Sequence, residues 1–104
     1  MVGNIYLAKI YFTDLSAYKI RPVLVIKELD DDCICLQLTS QIKEKALIIT
    51  QQDLLTGNLK KDSFVIVPKN FTLHKSILIK YLATIKPEII FNIVRELCLT
   101  LGCN

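Results

Sequence analysis

Up to residue 86 the apolar residues fall in short runs divided by polar turns; beyond it they recur at intervals of three and four. Residues 5–12 (IYLAKIYF) alternate weakly and are rich in Ile, Tyr and Phe, the composition of a half-buried strand, and residues 13–20 (TDLSAYKI) read as a polar loop. Residues 21–27 (RPVLVIK) and 33–38 (CICLQL) are apolar at successive positions, as strands covered on both faces are. Short strands are predicted at 46–50 and 64–67. Between them, DLLTGNLKKDS predicts one helical turn closed by Gly57 and followed by a basic loop. Residues 77–85 (ILIKYLATI) form the last β-rich run.

After Lys86 the period changes. Pro87 suits the first position of a helix, and Ile89, Ile90, Ile93, Val94, Leu97, Cys98 and Leu101 make one apolar stripe that Gly102 ends. Lys86 stands where Ser or Asp would cap such a helix, a small stability cost. Five or six short strands cannot build a broad two-sheet sandwich. The fold class expected is therefore mainly β: a small, strongly bent barrel closed by one C-terminal amphipathic helix, a single domain over residues 1–104.

The two central strands can be aligned by arithmetic. A hairpin turning at Leu29-Asp30-Asp31 pairs residues whose numbers sum to 60: Lys27 with Cys33, Ile26 with Ile34, Leu24 with Leu36, and, extended, Arg21 with Thr39. Directly paired residues have Cβ atoms about 4.5–5.5 Å apart, within reach of one small substrate group. Arg21, Thr39, Ser40 and Gln41 thus gather at one end of the hairpin, beside a loop carrying Asp14, Ser16, Tyr18 and Lys19.

Composition adjusts this picture in four ways. Hydrophobic residues make up 52% of the 104 and mean hydropathy is +0.41, an apolar surplus that points to a homodimer. No apolar run approaches the roughly 18 residues of a membrane span, and MVGNIYLAKIYF lacks the charged-then-apolar order of a signal peptide, so the expected location is cytoplasmic with no membrane partner. Cys33, Cys35, Cys98 and Cys103 have no metal-type spacing and His74 is the only histidine, so the thiols read as free and no metal or other cofactor is expected. Thirteen basic residues against ten acidic ones, a net charge of +3, permit a nucleic-acid partner without announcing one.

The chemistry open to the hairpin end is limited and specific. Arg21 supplies a permanent cation whose fork matches a phosphate, and Thr39, Ser40 and Gln41 supply hydroxyl and amide groups for phosphate oxygens. With no histidine, carboxylate pair or metal-ligand cluster there, the natural task is charge stabilisation of a phosphorane-like transition state. RNA brings its own nucleophile, the 2′-hydroxyl. Spacing alone also allows a structural account, in which Arg21 pairs with Asp14 and Thr39-Ser40 is an ordinary turn after a strand.

Six segments in order carry a resemblance: GNIY at 3–6, FTDLS at 12–16, KIRPVLVI at 19–26, DDCICLQLTSQ at 31–41, LKKDSFV at 59–65 and FTLHKS at 71–76. Together they resemble the MazF/PemK family of toxin endoribonucleases from toxin–antitoxin systems along nearly the whole chain. The resemblance implies a partly open SH3-like barrel, a homodimer with an RNA groove at its interface, and metal-independent cleavage of single-stranded RNA to a 2′,3′-cyclic phosphate. It further implies that Arg21 stabilises the pentacoordinate phosphate and donates the proton to the leaving oxygen, and that Thr39 fixes the scissile phosphate. Ser40, Gln41, Lys19 and Ser16 are implied substrate contacts, with Asp14 or Ser16 the guesses for a proton acceptor. A cognate antitoxin is the implied protein partner. One departure stands out: Asn4 follows Gly3 where the family has Asp, so an amide replaces a carboxylate.

Other features read more plainly. His74 beside Lys75 is an exposed loop histidine, Lys60-Lys61 and Lys43–Lys45 are solvated charges at the edge of a possible RNA path, Asp30–Asp32 is a solubilising acidic turn, and Tyr18 is a loop tyrosine with a face that can stack a base. The alternative function is a binding module on the same barrel, non-catalytic or acting on a protein as gyrase-poisoning toxins do. An SH3-like peptide adaptor is disfavoured by the absence of Trp.

Overall fold

The computed structural model describes residues 1–11, 14, 16–42 and 46–102; Phe12, Thr13, Leu15, Lys43–Lys45 and Cys103, which enter the sequence reading above, lie outside the described residues. Seven strands follow one another before the helix: β1 (Asn4–Tyr11), β2 (Tyr18–Glu28), β3 (Asp32–Thr39), β4 (Leu47–Ile49), β5 (Leu54–Gly57), β6 (Ser63–His74) and β7 (Leu78–Ile85), then α1 (Pro87–Thr100). They form one sheet in the order β4-β6-β3-β2-β1-β7-β5, antiparallel at every junction, which curls into the expected partly open barrel.

The central strands are buried on both faces, as their unbroken apolar runs predict. On one face Ile5, Leu24, Leu36, Leu38, Val65 and Ile85 pack with Ile93 and Leu97 of α1; on the other, Ala8, Val23, Val25, Cys33 and Cys35 form a second cluster with Tyr6, Ile10, Leu73 and Leu78. Successive residues Val23, Leu24 and Val25 thus serve alternate clusters, the period-2 geometry of a strand. The helix keeps only part of its stripe inside. Ile93 and Leu97 are buried and Ile89 and Ile90 pack against them, but Phe91, Val94 and Leu101 remain exposed. Lys86 occupies the N-cap without a side-chain cap bond, as read from the sequence.

The hairpin register holds in its first half only. Leu24 faces Leu36, and Val23 with Gln37 continues the sum of 60 toward Arg21 and Thr39; nearer the turn the ladder shifts, so Lys27 faces Ile34 and Glu28 faces Cys33. The extra residue is Ile26, a bulge at the end of the apolar run 23–26 that the hydrophobic pattern does not mark.

Three element assignments change. The expected loop over 13–20 ends at Ala17, since Tyr18, Lys19 and Ile20 already pair with Tyr11, Ile10 and Lys9; Arg21 is the fourth residue of β2 rather than its first. The expected helical turn at 53–57 is instead a 3-10 turn at Gln51–Asp53 followed by β5, whose capping Thr50 and Asp53 close reciprocally: Asp53 Oδ2 accepts the Thr50 N–H at 2.8 Å. Gly57 there has φ of +83° and lies so close to Leu82 and Ala83 of β7 that no Cβ fits. Finally, the strand expected at 64–67 runs on to His74. Leu38 faces Val65 and Leu36 faces Asn70, so four residues of β6, 66–69, stand against the single Gln37. A residue without a backbone donor, Pro68, falls within this bulge, where its missing N–H breaks no ladder.

Candidate functional site

The β6 bulge, the hairpin end of β2–β3, the segment after β5 and the middle of β7 enclose a groove of about 940 Å³. Arg21, Thr39, Ser40 and Gln41 all line it, so four of the six residues singled out from the sequence meet in one cleft. Ser16 and Lys19 are not among its lining. Ser16 instead closes an Asx turn, its N–H and Oγ donating to Asp14 Oδ1 at 3.0 and 2.7 Å, which holds the Asp14 carboxyl below its ordinary range.

Arg21 and Thr39 differ from most polar groups of the molecule in what they leave unused. The structural account of Arg21 as the partner of Asp14 has no support: among the described residues Arg21 makes no ion pair, and Asp14 is taken by Ser16. Thr39 Oγ1 accepts the N–H of Gln41 at 3.2 Å, the turn its neighbours predict; this uses a lone pair and leaves its O–H free to donate. Arg21, Val23, Gln37 and Thr39 follow the same alternation on adjoining strands, which sets the guanidinium and the hydroxyl on one face.

Charge in the groove is of one sign. Arg21, Lys60, Lys61, Lys69 and Lys80 are its ionisable lining apart from Tyr81, with no carboxylate among the described residues that line it. Lys60 and Lys61 were visible as a basic loop; Lys69 was hidden in the unrecognised extension of β6, and Lys80 in an apolar run whose one charged letter is the signal that could have revealed it. Such a cluster concentrates a polyanion and makes its binding salt-dependent. No set of three or more His, Cys, Asp or Glu side chains able to hold a metal occurs among the described residues.

On the opposite wall the lining residue Tyr81 belongs to a hydrogen-bonded chain whose other members lie outside the lining. Thr84 Oγ1 donates to Asn4 Oδ1 at 2.9 Å, and Asn4 Nδ2 donates to the Tyr6 hydroxyl at 3.1 Å. Asn4 therefore ties β1 to β7 through its Oδ1 and bonds within β1 through its Nδ2, and the amide that stands in place of Asp uses both its halves. The Tyr81 hydroxyl lies 2.6 Å from both Thr56 Oγ1 and Thr84 Oγ1, bonds that hold its phenol below the ordinary value of 10.0.

The remaining candidates are structural. His74 caps the 3-10 turn Lys75–Ile77 by accepting the Ser76 N–H at 3.1 Å, and Lys75 pairs with Glu28 at 2.7 Å. Cys33 and Cys35 are buried free thiols with sulfurs 3.5 Å apart. Among the described residues no helix is long and apolar enough to cross a membrane.

The profile of the PemK-like, MazF-like toxins of type II toxin–antitoxin systems matches residues 2–101, and the chain belongs to that family, whose members are RNA-cleaving enzymes. Comparison with curated proteins gave no match. Among solved structures, the chain is similar to an endoribonuclease from a mycobacterial species, with TM-score 0.73 at 23% identity over 99% of this chain and 91% of that one. An endoribonuclease in complex with its cognate antitoxin, also from a mycobacterial species, gives TM-score 0.70 at 23% identity, covering 100% of this chain and 94% of that one. The MazE–MazF complex of Deinococcus radiodurans gives TM-score 0.76 at 15% identity, covering 99% and 96%. These likenesses establish the barrel.

Proposed function

We propose that this chain is a metal-independent, sequence-specific endoribonuclease toxin that cuts single-stranded RNA, with Arg21 and Thr39 as its catalytic residues. The observation that carries the reading is the meeting of an unpaired guanidinium and a free hydroxyl donor in a groove lined by five cations and no described carboxylate. The 2′-oxygen of the substrate attacks the adjacent phosphorus as its proton passes to an acceptor. The bond from phosphorus to the 5′ oxygen breaks, and that oxygen leaves protonated. The products are a 2′,3′-cyclic phosphate and a 5′-hydroxyl end. Arg21 stabilises the extra negative charge of the pentacoordinate phosphate and donates toward the leaving oxygen, and Thr39 fixes a non-bridging oxygen. Ser40 and Gln41 hold neighbouring groups of the strand.

The protein works in the cytoplasm as a homodimer, consistent with the apolar side chains Phe91 and Leu101 that α1 leaves exposed. A cognate antitoxin neutralises it by laying an acidic segment over the same cationic groove.

The test is incubation of the purified protein with a long unstructured RNA in excess EDTA, beside Arg21→Ala, followed by mapping of the ends. Cuts at defined sites ending in cyclic phosphate, lost in the variant, are expected. Intact RNA with the unsubstituted protein, or cleavage that survives Arg21→Ala, would overturn the assignment.

A further inference from the structure

Tyr81 sits on a strand that is irregular on both sides of it. Against β1, Tyr6 faces Tyr81 and Leu7 faces Lys80, but Ile5 faces Ala83 and Ala8 faces Leu78, so Leu82 and Ile79 are each one residue too many. Between these two bulges Lys80 and Tyr81 pair regularly with Leu7 and Tyr6, and both line the groove.

The protons of the hydroxyl chain can be assigned in order. Thr84 spends its single proton on Asn4 Oδ1, so in the 2.6 Å contact between Tyr81 and Thr84 the phenol donates. With the phenol proton used, Thr56 donates in the other 2.6 Å contact. The sequence Thr56 to Tyr81 to Thr84 to Asn4 to Tyr6 thus runs one way, with every hydroxyl proton from Thr56 to Thr84 committed. It leaves the neutral Tyr81 no proton to exchange with a substrate, which argues against an acid–base role. It does fix the ring. The hydroxyl is pinned at both sides, and the ring meets Tyr6 edge-on, centroids 6.0 Å apart at 75°. Yet Tyr81 is 44% exposed.

An immobilised, half-open aromatic ring beside cations is the arrangement that receives an unpaired base while its phosphate is held alongside. Its position on the sheet suits this. Gln37, Val23, Tyr6 and Tyr81 form one row across β3, β2, β1 and β7, with Arg21 two residues along β2 from that row. Tyr81 is two strand spacings from β2, about 10 Å. We propose that Tyr81 is a base-stacking residue: its ring, held by Thr56, Thr84 and Tyr6, receives one nucleobase of single-stranded RNA on the wall across from Arg21 and Thr39, and Lys80 takes the adjoining phosphate. The inference rests on the ribonuclease reading for the identity of its ligand, but it concerns binding and is measured without cleavage.

The probes are two fluorescein-labelled 2′-O-methyl oligouridylates of equal length and charge, one with all its bases and one abasic throughout; neither has a nucleophile to be cleaved. Fluorescence anisotropy against the full-length protein is expected to show tighter binding of the base-bearing probe. Tyr81→Leu is expected to weaken that probe about tenfold while leaving the abasic probe unchanged. Tyr81→Phe, which keeps the ring but gives up both hydroxyl bonds, loses about two- to fivefold through lost preorganisation, less than Tyr81→Leu. Thr84→Val, which removes only one of those bonds, loses no more than Tyr81→Phe. Arg21→Ala, a charge change, lowers both probes together, so a protein that failed to cleave RNA would still report on Tyr81. Thermal unfolding confirms that each variant is folded; were Tyr81→Leu unfolded, Tyr81→Phe and Thr84→Val would carry the test. Equal loss for both probes, or none, in the folded ring-loss variant would overturn the proposal. So would unchanged RNA binding with loss of self-association in sedimentation, which would make the face a protein contact.

Discussion

The two walls of the groove treat their polar groups in opposite ways. On the β2–β3 side, Arg21 has no described partner and Thr39 keeps its O–H unspent; on the β7 side, Thr56, Tyr81, Thr84 and Asn4 are bonded to one another end to end. A group that must respond to charge appearing in a transition state gains from having nothing else to satisfy, whereas a group that must present a fixed surface gains from having every bond made. Reactivity and rigidity are placed on different strands of one sheet, and each wall should fail in its own way.

Arg21→Ala should lower kcat/KM for RNA by at least about a hundredfold, as loss of a transition-state donor does, while a chemical-unfolding curve shifts by no more than about 0.5 kcal/mol because the side chain is exposed and unpartnered. A large stability loss would show that the first wall is structural after all. Thr39→Val should cost about ten- to a hundredfold in kcat/KM, the worth of one hydrogen bond to a charged group, and Thr39→Ser should recover most of it. Equal rates for Val and Ser would remove the hydroxyl from the mechanism.

The second wall should break through stability. Gly57→Ala forces a side chain into a positive-φ site against Leu82 and Ala83, and should destabilise the fold by about 1–3 kcal/mol in urea unfolding as β5 parts from β7.

A smaller effect comes from the buried thiol pair of β3. Burial, then the neighbouring Cys33, push the Cys35 thiol well above its ordinary 9.0. The folded chain therefore keeps this proton where the unfolded chain releases it. Stability from this source is complete below pH 9 and falls as pH rises past it, by at most about 1.4 kcal/mol per pH unit. Unfolding free energies measured from pH 8 to 10.5 should fall more steeply for the native sequence than for Cys35→Val; parallel slopes would refute the assignment.

Much of this was legible in the chain itself, for identifiable reasons. The apolar runs at 21–27 and 33–38 announced strands buried on both faces, and the sum of 60 placed Leu24 against Leu36 and directed Arg21 toward Thr39. What escaped lies where the backbone departs from its period. Ile26 bulges at the end of an unbroken apolar run, where the pattern gives no sign of it, and the β6 bulge is marked by a proline that reads as a strand end. Tyr18 and Ile20 look like loop residues until Tyr11 and Lys9 lie beside them. The Tyr81 chain joins residues 4, 6, 56, 81 and 84, and no local pattern encodes bonds between segments that only the closed sheet brings together.

The four residues of β6 that face Gln37 alone have a bearing on how such a groove can be remodelled. They contribute Ile66 and Lys69 to the lining, yet they stand outside the ladder that fixes β3 to β6 on either side. A change at Ile66 or Lys69 alters the contour and charge of the cleft without touching the paired residues Leu36, Asn70, Leu38 and Val65, while Val67 of the same segment stays anchored in the core. The barrel thereby separates inheritance of its architecture from variation in what it grips, and a new target preference can be written into this segment while the rest of the sequence stands still.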